Sequence, residues 1–299
     1  MEYETLDLEL KNQFIGKNLI KYNTISSTQE RSIFLLEKSP HRSNLNGTVI
    51  VSDIQTKGKG RLKRKWISSP GGLWFSIILQ SPNIDVLDIN LIYMISTLSV
   101  CETLNNFIDS KAVIKWPNDI MVNSKKISGI LIDTSITEEK IDYLVIGIGI
   151  NVNIDSNKIK QEIYKNNTSR KYFSNMDNDI TSMNDELNGI QIDKLKILKI
   201  ILEKIEKYFL TIEKPIKKEN SFESHSFTNQ NRLKIVERFR ELCETIGKRI
   251  CIYIDGKEEY DGLAKGLDEY GYLILERKGD NNNIVIEKLY YGDISIRQF

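Results

Sequence analysis

Two runs of seven mostly apolar and β-branched residues, Thr48 to Ile54 and Leu73 to Leu79, constrain this chain most. Each is too short for a buried helix and rich in strand formers, so each reads as a strand. Between them lies Gln55 to Gly72, crowded with glycine, lysine and arginine, which must therefore be a loop joining two strands. Leu19 to Ile25 reads as an earlier strand, and Thr28 to Lys38 as a helix opened by Ser26 and Ser27 as caps. From Val86 to Ile108 apolar positions recur at helical spacing. Ala112 to Lys115, Ile120 to Val122, Ile127 to Asp133 and Tyr143 to Asn153 then read as four further strands. A sheet with helices packed on it follows, an α+β chain with a mixed sheet.

After Asn153 the composition turns to Asn, Lys and Ser. Residues 156–179 cannot readily bury a core and read as a surface insertion. Asp193 to Leu210 is an amphipathic helix that closes a first domain, residues 1–213. Residues 214–299 form the second: a linker over Lys214 to Asn220, a helix over Arg232 to Thr245, and five short strands between Gly and Asp turns, the pattern of a small barrel. With 42 basic and 41 acidic residues the net charge is +1, which gives no global attraction for polyanions. Three scattered cysteines suggest neither a zinc site nor a disulfide framework, and fit a reducing cytoplasm. The longest apolar stretches, such as Leu144 to Ile150, are far short of a membrane span, and the acidic start lacks the features of a signal peptide; neither membrane insertion nor secretion is expected.

The chemistry concentrates in four places. Lys57 to Lys65 places six basic side chains in nine residues, with Gly58 and Gly60 early among them, and is closed by Trp66; bare glycine backbone lets amides and cations approach an anion. No Gly-Lys-Ser/Thr follows, so it is not a P-loop. The bland reading is a solvated basic patch. Lys115-Trp-Pro-Asn-Asp119 links two strands, where Asn118 could read a purine edge and Asp119 could hold a cation or orient a lysine; Pro-Asn-Asp is also plain turn chemistry. Lys126 enters an apolar strand and needs an anionic partner, Asp119 or a phosphate. Gly147 and Gly149 leave one strand face open to a flat ligand or to close packing. His41 and His225 have no nucleophile context and read as surface residues.

Ser26-Ser-Thr-Gln29, the Gln55 to Trp66 loop, Lys115 to Asp119, Lys126 to Gly129 and Gly147 to Asn151 together resemble, in order and spacing, the motifs of biotin-protein ligases. The resemblance runs from about Lys17 to the C-terminus, where Gly247 to Tyr253, Ala264 to Leu273 and Gly292 to Arg297 resemble the family's SH3-like domain. It implies the class II synthetase-like catalytic fold of biotin and lipoate ligases, and the monofunctional type without an N-terminal DNA-binding module. The implied reaction has two steps. Biotin carboxylate attacks the α-phosphate of MgATP to give biotinyl-5′-AMP and pyrophosphate, and a lysine of a biotin carrier domain then attacks the mixed anhydride.

By matching position the resemblance implies biotin contacts from Ser27, Thr28, Gln29, Gln55, Lys59, Gly60, Arg61, Lys126 and Gly129. For ATP and the adenylate it implies Lys59, Arg61, Trp66, Asn118 and Asn151, with Lys126, Arg61 and Asp119 serving catalysis and no resident metal. Trp74, Ile130 and Ile148 are candidate walls for the biotin, with ordinary core as the competing reading. Two departures stand out: Gln29 replaces the family's usual asparagine, and Lys57 and Lys59 stand among arginine positions, losing the bidentate fork. Biotin, ATP with Mg²⁺ and a carrier domain are the implied partners, without DNA or membrane, and a homodimer is the candidate assembly. The rivals are a lipoate-protein ligase, against which the polar set Ser27, Thr28 and Gln55 argues; a nucleic-acid-binding module built on the basic loop; and a silent biotin binder, which would have to lack Lys126 or Arg61.

Overall fold

In the computed structural model, residues 2–38, 45–165, 180–213, 222–254, 257–279, 283–289 and 293–296 are described. Strand β2 (Leu19–Ile25) leads through helix α1 (Thr28–Lys38) into β3 (Val49–Gln55), and the two strands pair in parallel because the helix supplies the crossover that parallel neighbours need. Strand β1 (Glu4–Leu6) caps the β2 edge. Beyond β3, β4 (Leu73–Gln80), β5 (Ala112–Lys115), β6 (Asp119–Val122), β7 (Lys125–Thr137) and β8 (Lys140–Ile150) complete one eight-stranded sheet in the order β1-β2-β3-β4-β8-β7-β6-β5. The connections within β5 to β8 are too short for crossovers, so every pair there is antiparallel.

The two faces of this sheet differ. One carries the main core, where Leu73, Phe75, Ile77, Ile130, Ile146 and Ile148 pack against α2 (Ile89–Leu104) and helix Lys194–Ile212. Helix α2 is apolar all round because the sheet and two further helices enclose it. With the turn before it, Val86–Leu104 is long and apolar enough to cross a membrane, which corrects the expectation that the chain holds no such stretch; 67% of that window is buried inside the fold. The other face is covered by α1, where Leu36, Ile78 and Val145 form a small cluster, and by Trp66, Ile154 and Ile159 over Trp74.

The segment expected as a loose insertion begins with helix α3 (Ser156–Lys165), whose Ile159 is buried; residues 166–179 lie outside the described residues. A short helix α4 (Met183–Glu186), then α5 (Lys194–Ile212) and α6 (Phe222–Leu242), lead to a second sheet. It comprises β9 (Arg249–Ile254), β10 (Lys257–Leu267), β11 (Leu273–Lys278), β12 (Ile284–Leu289) and β13 (Asp293–Ile296), all antiparallel in the order β12-β11-β10-β9-β13. The five expected strands are all present. Helix α6 starts ten residues earlier than its amphipathic pattern, and the expected linker falls outside the described residues.

The second sheet is fastened directly behind the β5 end of the first. Trp116, at the end of β5, donates its backbone N–H to Thr245 Oγ1 (3.0 Å) and its indole N–H to Gly271 O (3.2 Å). Arg232 grips Asp88 with both nitrogen positions at 2.7 to 3.1 Å and lies over the Tyr270 ring. Gly271, at φ 78°, sits where a Cβ would strike Met94 Sδ at 2.3 Å, so only glycine lets this turn dock. Among the described residues Glu102 joins three helices, accepting from Lys204 (2.9 Å) and Arg238 (2.8 Å). Burial disfavours its charged form, but these two cations outweigh burial and hold its carboxyl below the usual range.

Candidate active site

The α1 face of the sheet builds the site in two adjoining patches. Along β8 the side chains of Gly147 and Gly149 would project to this face, two residues and therefore about 7 Å apart. A Cβ on Gly147 would meet Gln29 Oε1 at 2.5 Å, and one on Gly149 would meet the Trp66 ring at 2.8 Å. The face left open by the glycines is thus filled by the chain's own Gln29 and Trp66.

The first patch is a polar network at the start of α1. Gln29, buried, donates to Val145 O (2.8 Å) and accepts from the Ser76 hydroxyl (3.0 Å), which also lies 2.8 Å from Thr28 Oγ1. Gln55 Oε1 accepts from the Thr28 N–H (2.8 Å), while its amide donates to Ser68 Oγ (2.8 Å). Ser27 is 1% exposed, and its hydroxyl has no hydrogen-bond partner among the described residues. A buried hydroxyl left without a partner costs free energy unless a ligand or water completes it. Ser76 has no counterpart in the sequence reasoning; a lone hydroxyl in the otherwise apolar run Leu73 to Leu79 was its available signal.

The second patch gathers the cations. Lys126 Nζ lies 2.6 Å from Asp119 Oδ1, across the β6–β7 pair, and 5.2 Å from the Trp66 ring centroid. Arg61 donates to Asn118 Oδ1 at 2.6 Å, and the Asn118 amide donates to Ile130 O at 2.9 Å. Both ends of Asn118 are therefore committed, one to a guanidinium and one to β7. Arg64 is brought in beside them: burial lowers its guanidinium pKa, Asp119 opposes that, and the neighbouring Arg61 adds to the lowering. Lys126 and Arg64 flank the Asp119 carboxylate and Arg61 stands beside Arg64, which leaves an excess of positive charge suited to a phosphate.

The basic loop folds back on itself to deliver these groups. Gly60 N–H donates to Arg64 O (2.8 Å) and Trp66 N–H to Gly58 O (2.9 Å), around a tight turn in which Leu62 and Lys63 adopt left-handed φ of 53° and 60°. Gly58 is required, because a Cβ would meet Trp66 O at 2.4 Å, whereas a Cβ on Gly60 would meet nothing closer than 3.5 Å. Lys59 points elsewhere, pairing with Glu30 on α1 at 3.0 Å, and that contact holds the Glu30 carboxyl below its usual range. Gly129 faces Gly149 across β7 and β8 beneath Trp66, whose indole N–H is buried without a partner among the described residues.

Ile130 and Ile148 point into the main core on the opposite side, which bears out their core reading over the ligand-wall one, and Trp74, on the site face, is fully buried beneath Trp66 at 6.3 Å between ring centroids. Asn151 lies at the end of β8 with its amide donating to Thr181 O (3.0 Å). His41 and the side chain of His225 lie outside the described residues.

A large mixed sheet that gathers cations on one face, with a small antiparallel sheet locked behind it, defines a ligase-type catalytic fold with an accessory domain. Residues 22–151 match the biotin/lipoate A/B protein ligase family and residues 245–297 the biotin protein ligase C terminal domain. The bifunctional ligase/repressor BirA of Bacillus subtilis is 30% identical over 288 residues, covering 96% of this chain and 76% of that protein. The biotin–[acetyl-CoA-carboxylase] ligase of Mycobacterium tuberculosis is 23% identical over 280 residues, covering 90% and 89%. Among solved structures, the biotin protein ligase of Aquifex aeolicus in complex with biotin and ATP superposes with a TM-score of 0.65 at 27% identity, covering 95% of this chain and 100% of that one. The chain belongs to the biotin/lipoate A/B protein ligase family, on its biotin protein ligase branch.

Proposed function

We propose that this enzyme condenses biotin with ATP to biotinyl-5′-AMP, releasing pyrophosphate, and then passes the biotinyl group to a lysine amine of a biotin carrier domain. The observation that carries the reading is the convergence of Lys126, Arg61 and Arg64 beside Asp119 on the sheet face that also holds the buried, unpartnered Ser27 hydroxyl. In the first step the biotin carboxylate oxygen attacks the α-phosphorus and pyrophosphate leaves. Negative charge builds on the α-phosphate oxygens, where preorganised Lys126 and Arg61 stabilise it without reorganising. Asp119 orients the Lys126 ammonium, and Asn118 fixes Arg61 rather than standing free for the adenine. In the second step the acceptor amine attacks the acyl carbon and AMP leaves, the same cations accepting the charge on the leaving phosphate.

The Ser27, Thr28 and Gln55 set supplies hydrogen bonds for a buried ureido ring; Gln29, locked by Val145 O and Ser76, shapes the floor beside it. A site built on such bonds rejects an analogue that lacks them, which favours biotin over lipoate. Magnesium enters as the counter-ion of the nucleotide. Residues 1–213 serve as the catalytic unit and 214–299 as the accessory unit, and the buried thiols of Cys101, Cys243 and Cys251 fit a reducing cytoplasm.

The test is exchange of labelled pyrophosphate into ATP with biotin, lipoate or no acid. Exchange with biotin alone is expected, and Lys126→Ala should slow it by about 10²- to 10³-fold with biotin still bound. Exchange supported by lipoate alone would overturn the substrate, and a Lys126→Ala enzyme at wild-type rate would remove Lys126 from the chemistry.

A further inference from the structure

Strand β7 pairs with β8 only from Ser128 onward, and its register against β6 slips between Ile120 and Met121, leaving Ile127 as the extra residue of a bulge. On the β8 side, Lys126 is therefore completed by something other than the sheet. Ile180 forms a parallel bridge to it, and the Thr181 N–H donates to Lys126 O at 3.0 Å. Thr181 is itself held at three atoms: its carbonyl accepts from the Asn151 amide (3.0 Å), its hydroxyl donates to Glu186 Oε1 (2.6 Å), and its N–H is the one on Lys126. Glu186 Oε2 in turn accepts from Asn123 Nδ2 (2.9 Å), in the turn that joins β6 to β7. One residue earlier, Ile180 packs with Trp66 and Ile67 onto Trp74, Ile154 and Ile159. Residues 180–186 thus tie together the backbone of Lys126, the end of β8, the β6–β7 turn and the Trp66 arm of the basic loop.

From this geometry we infer that Thr181 is a positioning residue for Lys126: the segment returning from the Asn-rich excursion sets where the Lys126 ammonium stands for adenylate formation. The inference rests on Lys126 acting at the reacting phosphate. Thr181 is 2% exposed, and all three of its polar groups are committed to the protein. Its effect passes through the Lys126 carbonyl, at the bulge where the strand ladder leaves that residue least constrained. A misplacement of about 1 Å at such a group costs on the order of 10²-fold in rate.

Thr181→Pro removes the N–H that bonds Lys126 O, and Thr181→Val keeps it while deleting the hydroxyl anchor to Glu186; the valine variant is the one expected to fold in any event. The rate of biotin-dependent pyrophosphate exchange should fall about 10²-fold for the proline variant and about 10-fold for the valine variant, with KM for biotin held within about two-fold. The separating measurement repeats Thr181→Val in a Lys126→Ala background under single-turnover conditions, where a residue acting through Lys126 loses its effect. Equal slowing of both backgrounds, or a lower melting temperature with unchanged kcat, would overturn the inference and leave Thr181 as packing alone. A Lys126→Ala enzyme at wild-type rate would instead overturn the functional reading beneath it, and this inference with it.

Discussion

Removing the Asn118 side chain separates the two things its amide does. Asn118→Ala deletes the 2.6 Å bond from Arg61 and leaves Ile130 O without the 2.9 Å donor it has in the buried strand. A hydrogen bond to a charged group contributes about 1.5–3 kcal/mol. If that energy holds Arg61 at the reacting phosphate, its loss slows adenylation by about 10- to 150-fold. The orphaned carbonyl costs a further ~1–3 kcal/mol of stability, a fall in melting temperature of about 2–12 °C at roughly 2–4 °C per kcal/mol. Asn118→Asp keeps an acceptor for Arg61 but sets a carboxylate oxygen against Ile130 O. Its melting temperature should therefore fall at least as far, while its rate stays closer to wild type. Pyrophosphate exchange gives kcat and KM for ATP, and scanning calorimetry gives the melting temperature. A raised KM for ATP with unchanged kcat in Asn118→Ala would place Asn118 on the nucleotide base and refute the argument that it works through Arg61.

Gly149→Ala should drive the Trp66 ring off the sheet, since its new Cβ would lie 2.8 Å from the indole. The expected cost lies within the ~1–3 kcal/mol of overpacking, with a clear change in tryptophan fluorescence and slower adenylation; an unchanged spectrum would show that the ring is held elsewhere. The Glu102 carboxyl, held below its ordinary pKa by Arg238 and Lys204 against burial, stabilises the fold above the unfolded pKa, and that contribution is lost as pH falls through the lower folded value. Glu102→Gln should accordingly weaken the loss of stability seen by denaturant melts on going from pH 6 to about pH 3, and an identical pH dependence would exclude this network.

Much of the site could be read along the chain because its parts are local. Strand-forming runs bracket the basic loop, Asp119 and Lys126 sit either side of one hairpin turn, and antiparallel pairing across a short connection has to bring them close. What stayed hidden arises where local periodicity breaks. Strand alternation cannot show which of six basic side chains turns inward. Left-handed Leu62 and Lys63 reverse the loop, so that Arg61 and Arg64 reach Asn118 and Asp119 while Lys59 ends on Glu30. Gln29 seemed an altered ligand contact, and the fold commits its amide to Val145 O and Ser76, residues 116 and 47 positions away.

By itself, then, the sequence determined most of the strands, the long helices between them and the order of the charged motifs, since hydrophobic period, turn chemistry and connection length act over a few residues at a time. Only the tertiary structure decided which of those charges share a site. Lys126 lies beyond the β8 ladder and beside a bulge against β6, a distant segment at Thr181 completes its backbone pairing, and a glycine turn at 271 locks the second sheet behind Trp116. Each depends on backbone groups finding partners far away in the chain, because a buried N–H or C=O must be satisfied by whatever the fold brings to it.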